Sequence, residues 1–142
     1  MSKKADGLGH QPAPILENEQ ERLQDLDSLG IVKEDISKDQ RFSSLPRLAS
    51  YLTSCPQAWI NIIDKDTQHC KIDYGQKSVL SYMSREVPRG LTVCQFVLNN
   101  NCEPLVIEDC SLDERTKLVA EAGGGGFPKF YAGAPIVSKN GF

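Results

Sequence analysis

Residues 58–75 read AWINIIDKDTQHCKIDYG, and they set the architecture. The first part, AWINIID (58–64), is a near-continuous apolar run rich in β-branched residues. It predicts a central strand covered on both faces. DKDT is turn chemistry, because Asp accepts hydrogen bonds from the backbone of a reversal. QHCKIDYG (68–75) then predicts a returning strand that stops at Gly75. A strand, a tight turn and a strand make an antiparallel hairpin.

On the N-terminal side, ILENEQERLQDLDSLGI (15–31) predicts a helix. Leu16, Leu23, Leu26 and Gly30 give it a narrow apolar stripe, with Gly30 as its stop. Its stripe could dock on its own domain or on a second copy. Ser37 followed by Gln40 resembles a capping box. RFSSLPRLASYLTS (41–54) then puts Phe42, Leu45, Leu48, Ala49 and Leu52 on one helical face. Pro46 removes a backbone donor, so the helix is expected to begin near Ser43 or Ser44, with Pro46 in its first turn.

On the C-terminal side, residues 76–90 predict a short helix and a loop closed by Pro88 and Gly90. LTVCQFVLNNN (91–101) reads as a helix with Leu91, Cys94, Val97 and Leu98 on one side. EPLVIED holds a strand at 105–108. SLDERTKLVAEA (111–122) reads as a helix capped by Ser111, with Glu114 three residues later, ended by the glycine run 123–126. KFYAGAPIV (129–137) is a further strand, despite Gly133 and Pro135. SKNGF carries an Asn-Gly turn, a strong hairpin signal. A returning strand should follow it, so the sequence reads as a domain truncated before its last strand and helix. The expected class is α+β, a central antiparallel sheet flanked by helices.

The chain has 142 residues, 39% hydrophobic and 25% charged, with a net charge of −3. These values fit one soluble domain, 15–142, after a disordered lead-in at 1–14. Basic clustering is missing, which argues against nucleic acid as a partner. No apolar run reaches the ~18 residues of a membrane span. The lead-in carries two lysines but no apolar core, so it is not a secretory signal. A cytoplasmic location is the expectation. Five cysteines, an odd count without CxxC spacing, read as reduced thiols that mostly pack as small hydrophobes, and no metal site is expected.

Motifs for a serine hydrolase, a zinc protease or a phosphate loop are missing. The glycine run follows a helix and lacks the Gly-Lys-Ser/Thr sequel, so it reads as a connector. Asp64 and Asp66 suit the hairpin turn, and Asp113 and Glu114 suit the first turn of a helix. Cys94 is the sharpest reactive candidate. It lies near a predicted helix start after Arg89, and both features lower a thiol pKa. A core thiol is the plainer reading, as is a core role for Trp59.

Six blocks in order carry a family resemblance. They are ERLQDLDSLGI, RFSSLPRLASYL, AWINIIDKDTQHCK, PRGLTVCQFVL, PLVIEDCSLDER and FPKFYAGAPI. The chain resembles a GAF domain, a sensory and regulatory module of bacterial-type signalling proteins, over residues 17–142. His69 and Cys70 stand where the family often has an aromatic pair, and Phe96 where it often has a His. No Cys-His dyad for bilin attachment is present. The Asn-Lys-Phe-Asp-Glu signature of cyclic-nucleotide-binding members is also missing.

The resemblance implies a GAF/PAS-like sheet and a non-enzymatic sensory role, binding a small molecule or sensing redox state. It implies a pocket between the sheet and residues 75–100, with ligand-binding candidates Cys70, Tyr82, Cys94, Phe96, Tyr131 and Gly133. The small residues of the Tyr-Ala-Gly-Ala-Pro strand would leave room beside that pocket. The resemblance names no cofactor. It implies a homodimer through terminal helices that report to an output domain such as a histidine kinase or nucleotide cyclase. Two other readings stand beside this one. The first is a dimerisation or protein-interaction module whose pocket is filled by Tyr82, Met83, Phe96 and Tyr131. The second is a cysteine-dependent enzyme like the free methionine sulfoxide reductases.

Overall fold

The computed structural model describes residues 9–37, 39–75, 85–123 and 126–142. Among the described residues, four α-helices and two small antiparallel sheets make the fold α+β, as the sequence predicts. The helices are α1 (Glu19–Leu29), α2 (Gln40–Thr53), α3 (Gln95–Leu98) and α4 (Lys117–Gly123). The strands are β1 (Gln57–Ile63), β2 (Thr67–Gly75), β3 (Glu86–Pro88), β4 (Leu105–Ile107) and β5 (Tyr131–Gly133). Where a single sheet is expected, two are found, ordered β1-β2-β3 and β4-β5. No helix among the described residues is long and apolar enough to cross a membrane. The chain divides into two compact units, one built from Met1–Arg22 with Pro88–Phe142 and the other from Leu23–Val87.

In the Leu23–Val87 unit the expected hairpin forms. Asp64 N–H donates to Thr67 O (2.9 Å), and Asp64 Oδ1 accepts from the N–H groups of Asp66 (2.9 Å) and Thr67 (2.7 Å). Asp64 thus holds the reversal through its own side chain. The strands pair from Gln57 opposite Gly75 to Ile63 opposite Gln68, with a register shift between Ile60 and Asn61. That shift leaves Lys71 as the extra residue of a bulge, which re-aims its side chain. Its Nζ donates to the carbonyls of Val32 (2.6 Å) and Glu34 (2.9 Å). At the far end, Gly75 has φ +126°, and a Cβ there would come within 2.2 Å of Pro56 O. Only glycine closes the hairpin base this way.

Two expectations for this unit are corrected. The central strand is β2, with β1 at the sheet edge, because the free side of β2 takes β3. Cys70 N–H accordingly donates to Arg85 O (2.8 Å). Helix α2 begins at Gln40, earlier than expected, because Asp39 caps it by accepting from Arg41 N–H (2.9 Å). Pro46 then lies inside the helix and is the residue it buries. The face that meets the sheet carries Phe42, Pro46 and Ser50, while Leu45 (49%), Leu48 (53%) and Leu52 (71%) are exposed.

In the other unit the core is Val93, Val97, Leu105, Ile107 and Cys110, with Phe96, Phe127 and Tyr131 packed against it. The helix expected from Leu91 is interrupted. A 3-10 turn at Arg89–Leu91 precedes α3, because Thr92 N–H and its hydroxyl both return to Arg89 O. Helix α4 starts at Lys117, six residues later than expected. The side chains of Asp109 and Asp113 accept from the N–H groups of Ser111 and Arg115, and this local bonding competes with helix. Ser111 donates its hydroxyl to Asp109 (2.6 Å) instead of capping the helix. Strand β5 is shorter than read, ending at Gly133 two residues before Pro135. The Asn-Gly turn does form. Gly141, at φ +91°, donates to Ser138 O (3.0 Å), and Ser138 N–H donates to Phe142 O (2.5 Å). Of residues 76–90, expected to hold a short helix and a loop, 76–84 lie outside the described residues.

Candidate functional site

Strand β5 delivers Tyr131 and Gly133 to one side of the β4-β5 sheet, and α3 delivers Phe96 and Val97 to the same core. A Cβ at Gly133 would lie 2.3 Å from Tyr131 Oη and 2.9 Å from Val97 Cγ2. The tyrosine folds its phenol back over the glycine two residues on. The small residue in this strand is therefore needed by the strand's own aromatic neighbour.

Tyr131 Oη–H donates to Cys94 Sγ at 3.3 Å. Burial, and then the nearby Cys94 thiol, push the Tyr131 hydroxyl well above the ordinary tyrosine range, so it remains a proton donor. Cys94 stands at the N-cap of α3, in helical geometry, and is half-buried. Arg89, expected to activate it, directs its guanidinium to Glu19 instead. Behind this group, Cys110 is fully buried; Thr116 donates to its carbonyl (2.7 Å), and burial raises its thiol pKa.

Of the six sequence candidates, Cys94, Phe96, Tyr131 and Gly133 therefore share one packed region. Cys70 belongs to the other unit, where it is buried and its thiol points to Ile72 O (3.9 Å). Tyr82, with Met83, lies outside the described residues. Two open depressions on the described surface lie elsewhere. One is lined by Ser111, Lys117, Leu118 and Glu121. The other is lined by Ser44, Arg47, Leu48, Tyr51 and Tyr74.

A polar cluster in the same unit as Cys94 escaped the sequence reading. Glu19, at the start of α1, is buried and accepts from Arg22 Nε (3.0 Å) and Nη2 (2.8 Å), and from Arg89 Nη1. Burial alone would raise the Glu19 pKa. The hydrogen bonds and charges of Arg22 and Arg89 outweigh it and hold the carboxyl below the usual range. Gln95, 1% exposed, donates to Gly90 O (3.1 Å) and Thr92 O (2.9 Å), while its Oε1 accepts from Ala13 N–H (2.9 Å). Ala13 is buried at 7% exposure, within the segment read from sequence as a lead-in. The detectable signal was a glutamine inside an apolar run, VCQFV, which needs partners once buried.

In the other unit, His69 sits between two carboxylates, Asp64 Oδ2 at 2.8 Å and Glu86 Oε1 at 3.5 Å. Burial works against the Asp64 carboxylate. Its hydrogen bonds to His69 and to the backbone of Thr67 and Asp66 prevail and lower its pKa. Among the described residues no group of three or more His, Cys, Asp or Glu is placed to hold a metal ion. Compared with protein-family models and with curated proteins, the chain matches none.

Proposed function

We propose that this chain is a regulatory module of GAF type that acts through protein contacts, with its interior filled by its own side chains. The resemblance of six ordered sequence blocks motivates the family. One observation carries the filled form. Tyr131 occupies the space above Gly133, against Val97, where a ligand was expected. The outward leucines of α2 support a module that works by contact, since an exposed apolar stripe marks a surface for another protein. In this reading the partner is an output domain such as a kinase or cyclase, and the module performs no catalysis of its own.

A native mass spectrum of freshly purified protein tests this. The expected result is protein mass alone, as monomer or dimer. A stoichiometric extra mass that leaves on gentle activation would overturn the filled interior and restore the ligand sensor. The hydrogen bond from Tyr131 to Cys94 favours a second reading, a thiol that senses redox state. Labelling by a thiol probe at neutral pH, lost in Cys94→Ser, would support it, and an inert Cys94 would end it.

A further inference from the structure

Residues His10, Ala13 and Pro14 meet the segment Gly90 to Asn99 as a peptide meets a receptor. His10 Nε2 donates to Gly90 O at 2.8 Å. Ala13 N–H donates to Gln95 Oε1 at 2.9 Å. Asn99 Nδ2 donates to Pro14 O at 3.1 Å. The strap has no helix or strand of its own, and its prolines at 12 and 14 remove two donors. The N–H between those prolines is the one the receptor reads.

The receptor side is organised in advance. Both amide hydrogens of Gln95 are held by Gly90 O and Thr92 O, which fixes Oε1 as the outward acceptor. Asn99 is steadied by a second bond to Gln95 O at 3.4 Å. Gly90 faces Pro12; a Cβ there would make ordinary contact with Pro12 Cβ at 3.7 Å. Ala13 is buried, at 7% exposure. Proline on either side of a read amide, a buried small side chain and a read carbonyl next to it are features by which an extended proline-containing peptide can be recognised.

We propose that Gly90, Gln95 and Asn99 form a binding groove for an extended Pro-Ala-Pro-type segment of a partner protein. Residues 10–14 of this chain occupy it in cis as a competing pseudo-ligand. The groove rests on these hydrogen bonds and not on the GAF reading, so the two can fail separately. A tethered occupant exchanges with an external one when the latter reaches the tether's effective concentration.

The test uses the full chain carrying Ala13→Arg, which puts a long charged side chain at a buried position, and a fluorescent peptide GHQPAPIL, the sequence of residues 9–16. Anisotropy should show the peptide binding this variant at least about tenfold tighter than the wild type, whose own strap competes. N-methylation of the peptide's alanine nitrogen should abolish binding, and Asn99→Ala should weaken it several-fold. No binding by an Ala13→Arg chain with wild-type circular dichroism would overturn the proposal. Should that variant fail to fold, exchange of the Ala13 amide in the wild type should accelerate with excess peptide. Unchanged exchange at millimolar peptide would also overturn it. A concentration-dependent strap-exchanged dimer without free-peptide binding would assign the groove to a second copy and overturn the partner assignment.

Discussion

Helix α2 turns its leucines outward, whereas residues 89–98 turn Arg89, Thr92 and Gln95 inward. Both segments have apolar and polar residues at helical spacing, and simple patterning assigns the apolar stripe to the core in each. In α2 the stripe of Leu45, Leu48 and Leu52 instead lies opposite Pro46, which the sheet covers. In residues 89–98 the buried polar side chains are tolerated through the bonds they make, Arg89 Nη1 to Glu19, the Thr92 hydroxyl to Arg89 O, and Gln95 with three backbone groups. Periodicity finds a stripe. Which side becomes interior depends on what packs there, and for polar groups on whether their hydrogen bonds can be met.

Substitutions that attack each side of this contrast should differ widely. Glu19→Gln removes the carboxylate that compensates buried guanidinium groups, and should cost about 3–5 kcal/mol of stability in urea unfolding. The effect should depend on pH. Because the folded pKa is lowered, the contribution of Glu19 is fully present above its unfolded value of about 4.3. It is lost as pH falls through the folded value, so wild type and variant should converge in acid. A gap that persists unchanged to low pH would assign the loss to packing rather than charge.

Ile107→Ala, in the core beside Val97, should cost about 2–5 kcal/mol in the same assay. Gly133→Ala should cost about 1–3 kcal/mol, because the new methyl displaces the Tyr131 ring. A neutral Gly133→Ala would show that the phenol does not lie over the glycine. At the small end, Leu48→Ala should change stability by about 0.5 kcal/mol or less, as an exposed position does. A loss in the range of Ile107→Ala would mean that the α2 stripe is covered in solution, and concentration dependence of the midpoint would show whether a second copy covers it.

The hairpin was legible because its signals were local. A β-branched run, an Asp-rich turn and a glycine with positive φ each act within a few residues. The Asn-Gly turn at 140–141 was legible for the same reason. Helix starts were not. Asp39 outcompeted Ser37 as the cap of α2, and the side chains of Asp109 and Asp113 delayed α4. Sequence shows that such residues can bond to backbone, but not which bonding pattern wins. The central place of β2 depends on β3, a three-residue strand with no signal of its own. The grouping of Cys94, Phe96, Tyr131 and Gly133 came from the resemblance. Glu19 with Arg89, and Ala13 with Gln95, are contacts between residues 70 and 82 apart, which no local pattern encodes.

The filled module requires that Tyr131 occupy the space over Gly133. Nuclear Overhauser contacts of the Tyr131 ring in the wild-type chain test this most directly. The expected result is strong contacts from the ring to the Val97 methyls and the Gly133 α-protons, with the phenolic proton protected from exchange. A ring without those contacts and a freely exchanging phenol would mean an open site, and would contradict the filled module.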